Sequence, residues 1–296
     1  MTALKNANPT AALADLDQLA RQWGARHIPF AGSPSWLQTP GVRNAWSGLD
    51  RGARLRQTLL LSGPNGVGKS ALARQWIEKL DRRLFVPVVV TQATLSGSSI
   101  LAAISMKLGG PPGGRRERLL QNIEQALGEL EPRIPVVLLD EAQNYSHGAL
   151  EEIQLLLGLN LPAQPAFALV LIGDEFLIRS MGLRHHRALY SRLSAHLTLQ
   201  RWTPAEATDF IRTGLESAGL AANSIEDTAL ADLVRASGGL ARSLELLARQ
   251  AWIHAASAQA TTIGAEHVDQ AIQGVPFVPG LHEPPQTLNS PSPAEA

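Results

Sequence analysis

Residues 63–70 read Gly63-Pro64-Asn65-Gly66-Val67-Gly68-Lys69-Ser70, a full match to the pattern G-x-x-x-x-G-K-[ST] that cradles phosphates. Its glycines let the backbone turn tightly, so that several N–H groups point at one phosphate chain. Lys69 brings a point charge to the β- and γ-phosphates, and the Ser70 hydroxyl is a ligand for Mg²⁺. Thr58-Leu59-Leu60-Leu61-Ser62, just before the loop, is a short apolar run that reads as a buried strand. Ala71-Leu72-Ala73-Arg74-Gln75-Trp76-Ile77, just after it, reads as a helix whose N-terminal dipole favours an anion. Strand, loop and helix come in the order a nucleotide site requires. The stretch from Gly63 to Ala71 is therefore the candidate phosphate-binding set.

A second half of such a site follows downstream. Ile134-Pro135-Val136-Val137-Leu138-Leu139 is an apolar run that ends in Asp140-Glu141. A continuous apolar strand suits a parallel sheet covered on both faces, and open α/β sheets bind ligands at the carboxyl ends of their strands. Asp140 is the candidate that orients Mg²⁺ together with Ser70. Glu141 is the candidate that polarises a water for attack on phosphorus.

Composition narrows the class. A chain of 296 residues holds one large domain or two modest ones, and 45% apolar residues suffice for a real core. There is no cysteine, which excludes disulfides and thiolate metal sites. The histidines are scattered, and His185-His186 reads as a loop or surface pair, since neighbours on a helix point in different directions. Basic and acidic residues number 26 each, which argues against an indiscriminate polyanion binder but not against a local basic groove. No apolar run reaches the length of a membrane span, and Met1-Thr2-Ala3-Leu4-Lys5-Asn6 lacks the pattern of a signal peptide. A soluble cytoplasmic protein with no membrane partner is the expectation.

Outside the two motifs, Val86–Val90 and Ala166–Gly173 read as further strands and Leu197-Thr198-Leu199 as a weaker one. Helical patterns fall near 97–108, 115–129 and 148–160. Alternating strands and helices imply an α/β fold with a doubly wound parallel sheet. The pattern changes after Trp202. Thr203-Pro204-Ala205-Glu206 has the N-cap, first-turn proline and capping-box glutamate of a helix start, and helices near 204–218, 226–236, 240–258 and 264–273 follow with no strand between them. The expected organisation is a helical N-terminal extension over 1–27, a nucleotide-binding core over 28–202, a small all-helical lid over 203–277 and a disordered Pro/Ser-rich tail over 278–296.

Asp140-Glu141-Ala142-Gln143-Asn144, the Glu151–Leu157 helix and the strand ending Ile172-Gly173 together resemble the ExeA-like AAA+ ATPases over roughly residues 25–275. That group takes in a secretion-assembly ATPase and, as relatives, the transposition helper ATPases of the TniB, TnsC and phage Mu B kind. The resemblance implies ATP as the nucleotide, Mg²⁺ as its cofactor, and a homo-oligomer, ring or filament. It also implies three further site residues. Asp174 occupies the slot of a polar sensor at the end of the fourth strand. The family more often has Asn, Thr or Gln there, which donate a hydrogen bond where an ionised Asp does not. A helix N-cap for Glu175-Phe176-Leu177 is the alternative. Arg242, after the Gly-rich turn Ser237-Gly238-Gly239, matches the second sensor arginine, which ties a lid to the γ-phosphate. Arg192, or else Arg187, matches the finger that acts on a neighbouring subunit's nucleotide.

Three roles are open for such an ATPase. The first is a transposition regulator that assembles with ATP on duplex DNA and recruits a transposase or another mobile-element protein. Its candidate phosphate contacts are Arg82-Arg83, Lys107 and Arg115-Arg116-Glu117-Arg118. The second is an ATPase for secretion or envelope complex assembly. The third is a nucleotide-gated regulatory switch.

Overall fold

The computed structural model describes residues 9–31, 39–92, 95, 97–111, 113–158, 165–183, 186–276 and 278–282. In chain order the elements to the sheet's last strand are α1 (Pro9–Gln22), α2 (Pro40–Arg54), β1 (Thr58–Ser62), α3 (Lys69–Lys79), β2 (Phe85–Val90), α4 (Ser99–Lys107), α5 (Arg116–Glu129), β3 (Ile134–Leu139), α6 (His147–Leu156), β4 (Ala168–Gly173), α7 (Glu175–Met181), α8 (Arg187–Tyr190) and β5 (Leu193–Thr198). The all-helical remainder is α9 (Pro204–Ser217), α10 (Asp227–Ser237), α11 (Ala241–Ser257), α12 (Ala265–Gly274) and α13 (Pro279–His282).

The five strands form one sheet in the order β2-β3-β4-β1-β5, and every pairing in it is parallel. Every residue of β1 and β4 is buried, as near-continuous apolar strands require when helices cover both faces. The register aligns Ser62 with Gly173 and Leu139 with Leu171. The residues that follow β1, β3 and β4 therefore emerge at one edge of the sheet. Those residues are Gly63, Asp140 and Asp174.

The described residues fall into two compact units. One spans 38–200, and the other joins 1–37 to 201–296. This differs from the expected N-terminal extension and from a core that begins at residue 28. Ala20, Ala25 and Phe30 are buried in the same apolar cluster as Phe210, Leu244 and Trp252. Trp23 meets Trp252 edge-on with ring centroids 6.3 Å apart. The Arg249 guanidinium donates to the Phe30 carbonyl at 3.1 Å. A helix as short as α1 is marginal alone in water, and packing on α11 supplies what its sequence cannot.

The start of α9 is as the sequence predicts: Glu206 N–H donates to Thr203 Oγ1 at 3.3 Å, and Thr203 N–H donates to Glu206 Oε2 at 2.8 Å. Such a cap contributes about 1 kcal/mol. The tail corrects the expectation of disorder from residue 278 onward. Val278 is 1% exposed and belongs to the helical unit's core, and a turn of helix, α13, follows it. Residues 283–296 of the expected tail lie outside the described residues. His186 is also a correction. It is 3% exposed, with Nε2 3.3 Å from His147 Nδ1, so it is a core histidine that ties the segment before α8 to the start of α6. His185 and Arg184 lie outside the described residues.

Candidate nucleotide site

The loop after β1 has left-handed backbone at Gly63 (φ 149°), Gly66 (φ 83°) and Gly68 (φ 105°). Gly63 is also sterically fixed. A Cβ there would lie 2.3 Å from the Leu199 carbonyl oxygen, which follows β5 and whose N–H donates to Ser62 O at 2.8 Å. Helix α3 begins at Lys69 with Gly68 as N-cap and no side chain capping it, a helix start of the kind that suits an anion. Lys69 is 8% exposed. Its Nζ donates to the Gly63 and Pro64 carbonyls at 2.8 and 3.1 Å. The charge is therefore held over the loop itself.

The carboxylates meet this loop from the neighbouring strands. Ser70 and Asp140 line one cavity of about 200 Å³ with Ala73, Arg74, Val89 and Thr91. The backbone N–H of Glu141 donates to Asp140 Oδ1 at 2.9 Å. Glu141 takes left-handed backbone, φ 54° and ψ 35°, and opens a 3-10 turn over Ala142–Asn144. Its Oε2 accepts from Gln143 Nε2 at 2.6 Å. Tyr145 closes the turn, donating its O–H to the Asp140 carbonyl at 3.0 Å. Burial, and then the charges of Asp140 and Glu141, push that phenol above its ordinary pKa, so it stays protonated and keeps donating.

Asp174 is 7% exposed and does two things. Its Oδ1 accepts from Phe176 N–H at 2.9 Å, which caps α7, and its Oδ2 lies 3.5 Å from Asn65 Nδ2 in the phosphate loop. The sensor slot and the N-cap are thus the same carboxylate. Arg192 is engaged within its own chain: Nη1 donates to the Gln154 carbonyl at 2.7 Å, in the last turn of α6. Arg187 is exposed at the start of α8. Arg242 is exposed in the first turn of α11, in the helical unit.

Lys69, Ser70, Asp140, Glu141, Asn65 and Asp174 are thus placed at one sheet edge. Gln143 and Tyr145 complete it. Their positions depend on the tight turn that the left-handed Glu141 makes, which no residue spacing announces. The residues present suit Mg²⁺ and a nucleotide. A helix start with no side chain on its cap, an ammonium donating to loop carbonyls, and a hydroxyl and a carboxylate lining one small cavity form a hard-oxygen and phosphate-accepting set.

Half of the basic residues singled out, Arg82, Arg83 and Arg116, have partners inside the chain. Arg82 Nη2 donates to the Ile77 carbonyl at 3.0 Å. Arg83 lies 3.6 Å from Asp81, and Arg116 lies 2.6 Å from Glu152. Arg115 and Arg118 line an open hollow with Pro111, Gly113 and Gly114.

Comparison with known proteins agrees with the geometry. The AAA domain family matches residues 53–181. General secretion pathway protein A of Aeromonas hydrophila is 29% identical over 207 residues, 67% of this chain and 37% of that protein. The chain therefore spans little more than a third of the length of that relative. Among solved structures, the Aeropyrum pernix ORC2 protein in its ADP form superposes with a TM-score of 0.63 at 17% identity, over 86% of this chain and 72% of that one. Cdc6p from Pyrobaculum aerophilum gives 0.65 at 19%, over 81% and 68%. The Thermotoga maritima RuvB Holliday junction branch migration motor gives 0.53 at 20%, over 82% and 72%. At such identities the likeness is one of fold, and with the parallel sheet, the phosphate loop and the matched AAA domain it makes this chain a P-loop protein of the AAA+ fold.

Proposed function

We propose that this chain is an AAA+ ATPase that works in the assembly of a secretion or envelope complex. The observation that carries the ATPase reading is the convergence of Lys69, Ser70, Asp140 and Glu141 at one sheet edge. Lys69 would exchange the Gly63 and Pro64 carbonyls for phosphate oxygens, which are stronger acceptors. Ser70 and Asp140 would hold Mg²⁺, which supplies neutralising charge to the phosphates. Glu141 would take the proton of the attacking water. Asp174 would report the state of the loop through Asn65, Arg242 would report it from the lid, and Arg187 or Arg192 would act on a neighbour's nucleotide in a homo-oligomer.

The relative's name, general secretion pathway protein A, supports the assembly role. The transposition role, which the sequence put first, rests on the basic segments. Arg82, Arg83 and Arg116 have partners inside the chain while Arg115 and Arg118 line an open hollow, so the likeness to a secretion-pathway protein is what puts that role second.

Phosphate release and binding of a fluorescent ATP analogue test the ATPase reading. Lys69→Ala should lose most nucleotide affinity. Glu141→Gln should keep affinity while turnover falls by roughly 10²-fold, the usual scale for losing a general base. Affinity unchanged in Lys69→Ala removes the phosphate-loop reading.

A further inference from the structure

The Glu141 carboxylate is held by a neighbour in its own turn, and the geometry of that hold is unusual. After Asp140 the chain enters left-handed backbone at Glu141, a conformation that costs a non-glycine residue about 1 kcal/mol or more. Asn144 N–H then donates to the Glu141 carbonyl at 2.9 Å, which brings the Gln143 side chain back beside Glu141. The 2.6 Å contact from Gln143 Nε2 to Glu141 Oε2 is a short, charge-assisted hydrogen bond. The other end of the amide is Oε1, a buried atom with no hydrogen-bond partner among the described residues. It packs against Gly173 at the end of β4, where an added Cβ would lie 3.0 Å from it. Turning the amide over would set Oε1 against a carboxylate oxygen. Its orientation is therefore fixed from both ends, by a charge on one side and by the bare backbone of β4 on the other. An orphaned buried acceptor carries a cost of about 1–3 kcal/mol. That cost is borne next to the two residues that the proposed reaction needs in fixed places.

We propose that Gln143 is a positioning residue for catalysis: it fixes the direction of the Glu141 carboxylate and couples it to the end of β4, where Gly173 leads into Asp174. The proposal rests on the reading of Glu141 as general base. Without the amide, the Glu141 side chain has its remaining torsions free and spends much of its time turned away from the water it must activate. Misplacement on that scale costs a rate factor of about ten to a hundred while binding is left alone.

The test is steady-state ATP turnover of the full chain with three variants at Gln143, beside Glu141→Gln. Gln143→Ala should lower kcat at least tenfold with KM and analogue affinity within twofold of wild type. Gln143→His, whose neutral imidazole again offers an N–H, should recover most of the lost kcat. Gln143→Glu, the same size but unable to donate when ionised, should stay as low as Gln143→Ala, and it tests the donor even if truncation destabilises the turn. A kcat for Gln143→Ala or Gln143→Glu near wild type, beside an inactive Glu141→Gln, overturns the positioning role alone. Equal losses in Gln143→Ala and Gln143→His, tracking a lowered Tm, overturn it in favour of a packing role. Wild-type turnover in Glu141→Gln overturns the base reading and this proposal with it.

Discussion

Arg192 separates what a single residue's sequence position announces from what its surroundings permit. It matches the finger arginine by its place before the last strand, yet its Nη1 donates to the Gln154 carbonyl at 2.7 Å. That bond satisfies one of the orphan carbonyls at the end of α6. Arg187, exposed and one turn earlier, has no such duty among the described contacts. We expect Arg192→Ala to lower the urea midpoint, with a loss of stability of about 1.5–3 kcal/mol, the scale of a hydrogen bond from a charged group. Arg187→Ala should leave the midpoint unchanged and lower turnover. Mixing Arg187→Ala with Glu141→Gln subunits should then restore activity, because mixed interfaces pair an intact carboxylate with an intact finger. A recovery seen with Arg192→Ala and not with Arg187→Ala reverses the assignment. The phosphate loop was legible because its chemistry demands fixed residue types at fixed spacing. The Gln143 clasp was not, since it depends on one left-handed residue. Nor was burial of His186, since the sequence does not show that His147 comes to meet it.

At the scale of elements, the buried strands were plain and the edge strand was not. β5 runs Leu193–Thr198, where the sequence suggested only Leu197–Leu199. Its residues alternate between partly buried and exposed, and Ser194 and His196 interrupt the apolar run. An edge strand with one half-covered face carries a weak signal. Its pairing with β1 sets Ser62 Oγ 2.6 Å from His196 Nε2. Burial pushes the His196 pKa below its ordinary value, in keeping with a neutral ring that accepts the serine proton. The consequence has a definite sign. Above an ordinary imidazole pKa of about 6.5, both folded and unfolded chains hold this ring neutral. As pH falls below that value the unfolded chain takes the proton first, so the histidine lowers stability on the acid side. The urea midpoint should fall between about pH 7.5 and pH 5.5, and His196→Asn should fall less over that span. An equal fall in both proteins assigns the acid lability elsewhere.

For the whole molecule, charge and assembly decide between the two roles. The formal charge is zero, with 26 basic and 26 acidic residues, and among the described residues no helix is long and apolar enough to cross a membrane. Of the basic segment around α5, Arg116 is paired with Glu152 and only Arg115 and Arg118 face an open hollow. Two phosphate contacts per subunit give a salt slope of only about −2 and weak binding. A nucleotide-driven oligomer would still make the contacts act together, since linked weak sites gain from effective concentration. The roles therefore part on a single measurement: duplex DNA binding by ATP-loaded and ADP-loaded protein across a salt series, with Arg115→Ala/Arg118→Ala as the control. On the assembly reading, at salt near about 0.15 M the ATP-loaded oligomer should bind duplex DNA no better than the ADP-loaded protein, and the double substitution should change nothing. ATP turnover should likewise be indifferent to DNA. Binding that is specific to ATP, falls steeply with salt and disappears with Arg115 and Arg118 would put a DNA-bound helper ATPase back in first place. The phosphate loop and its carboxylates serve either role equally, so only what the assembled subunits hold can choose between them.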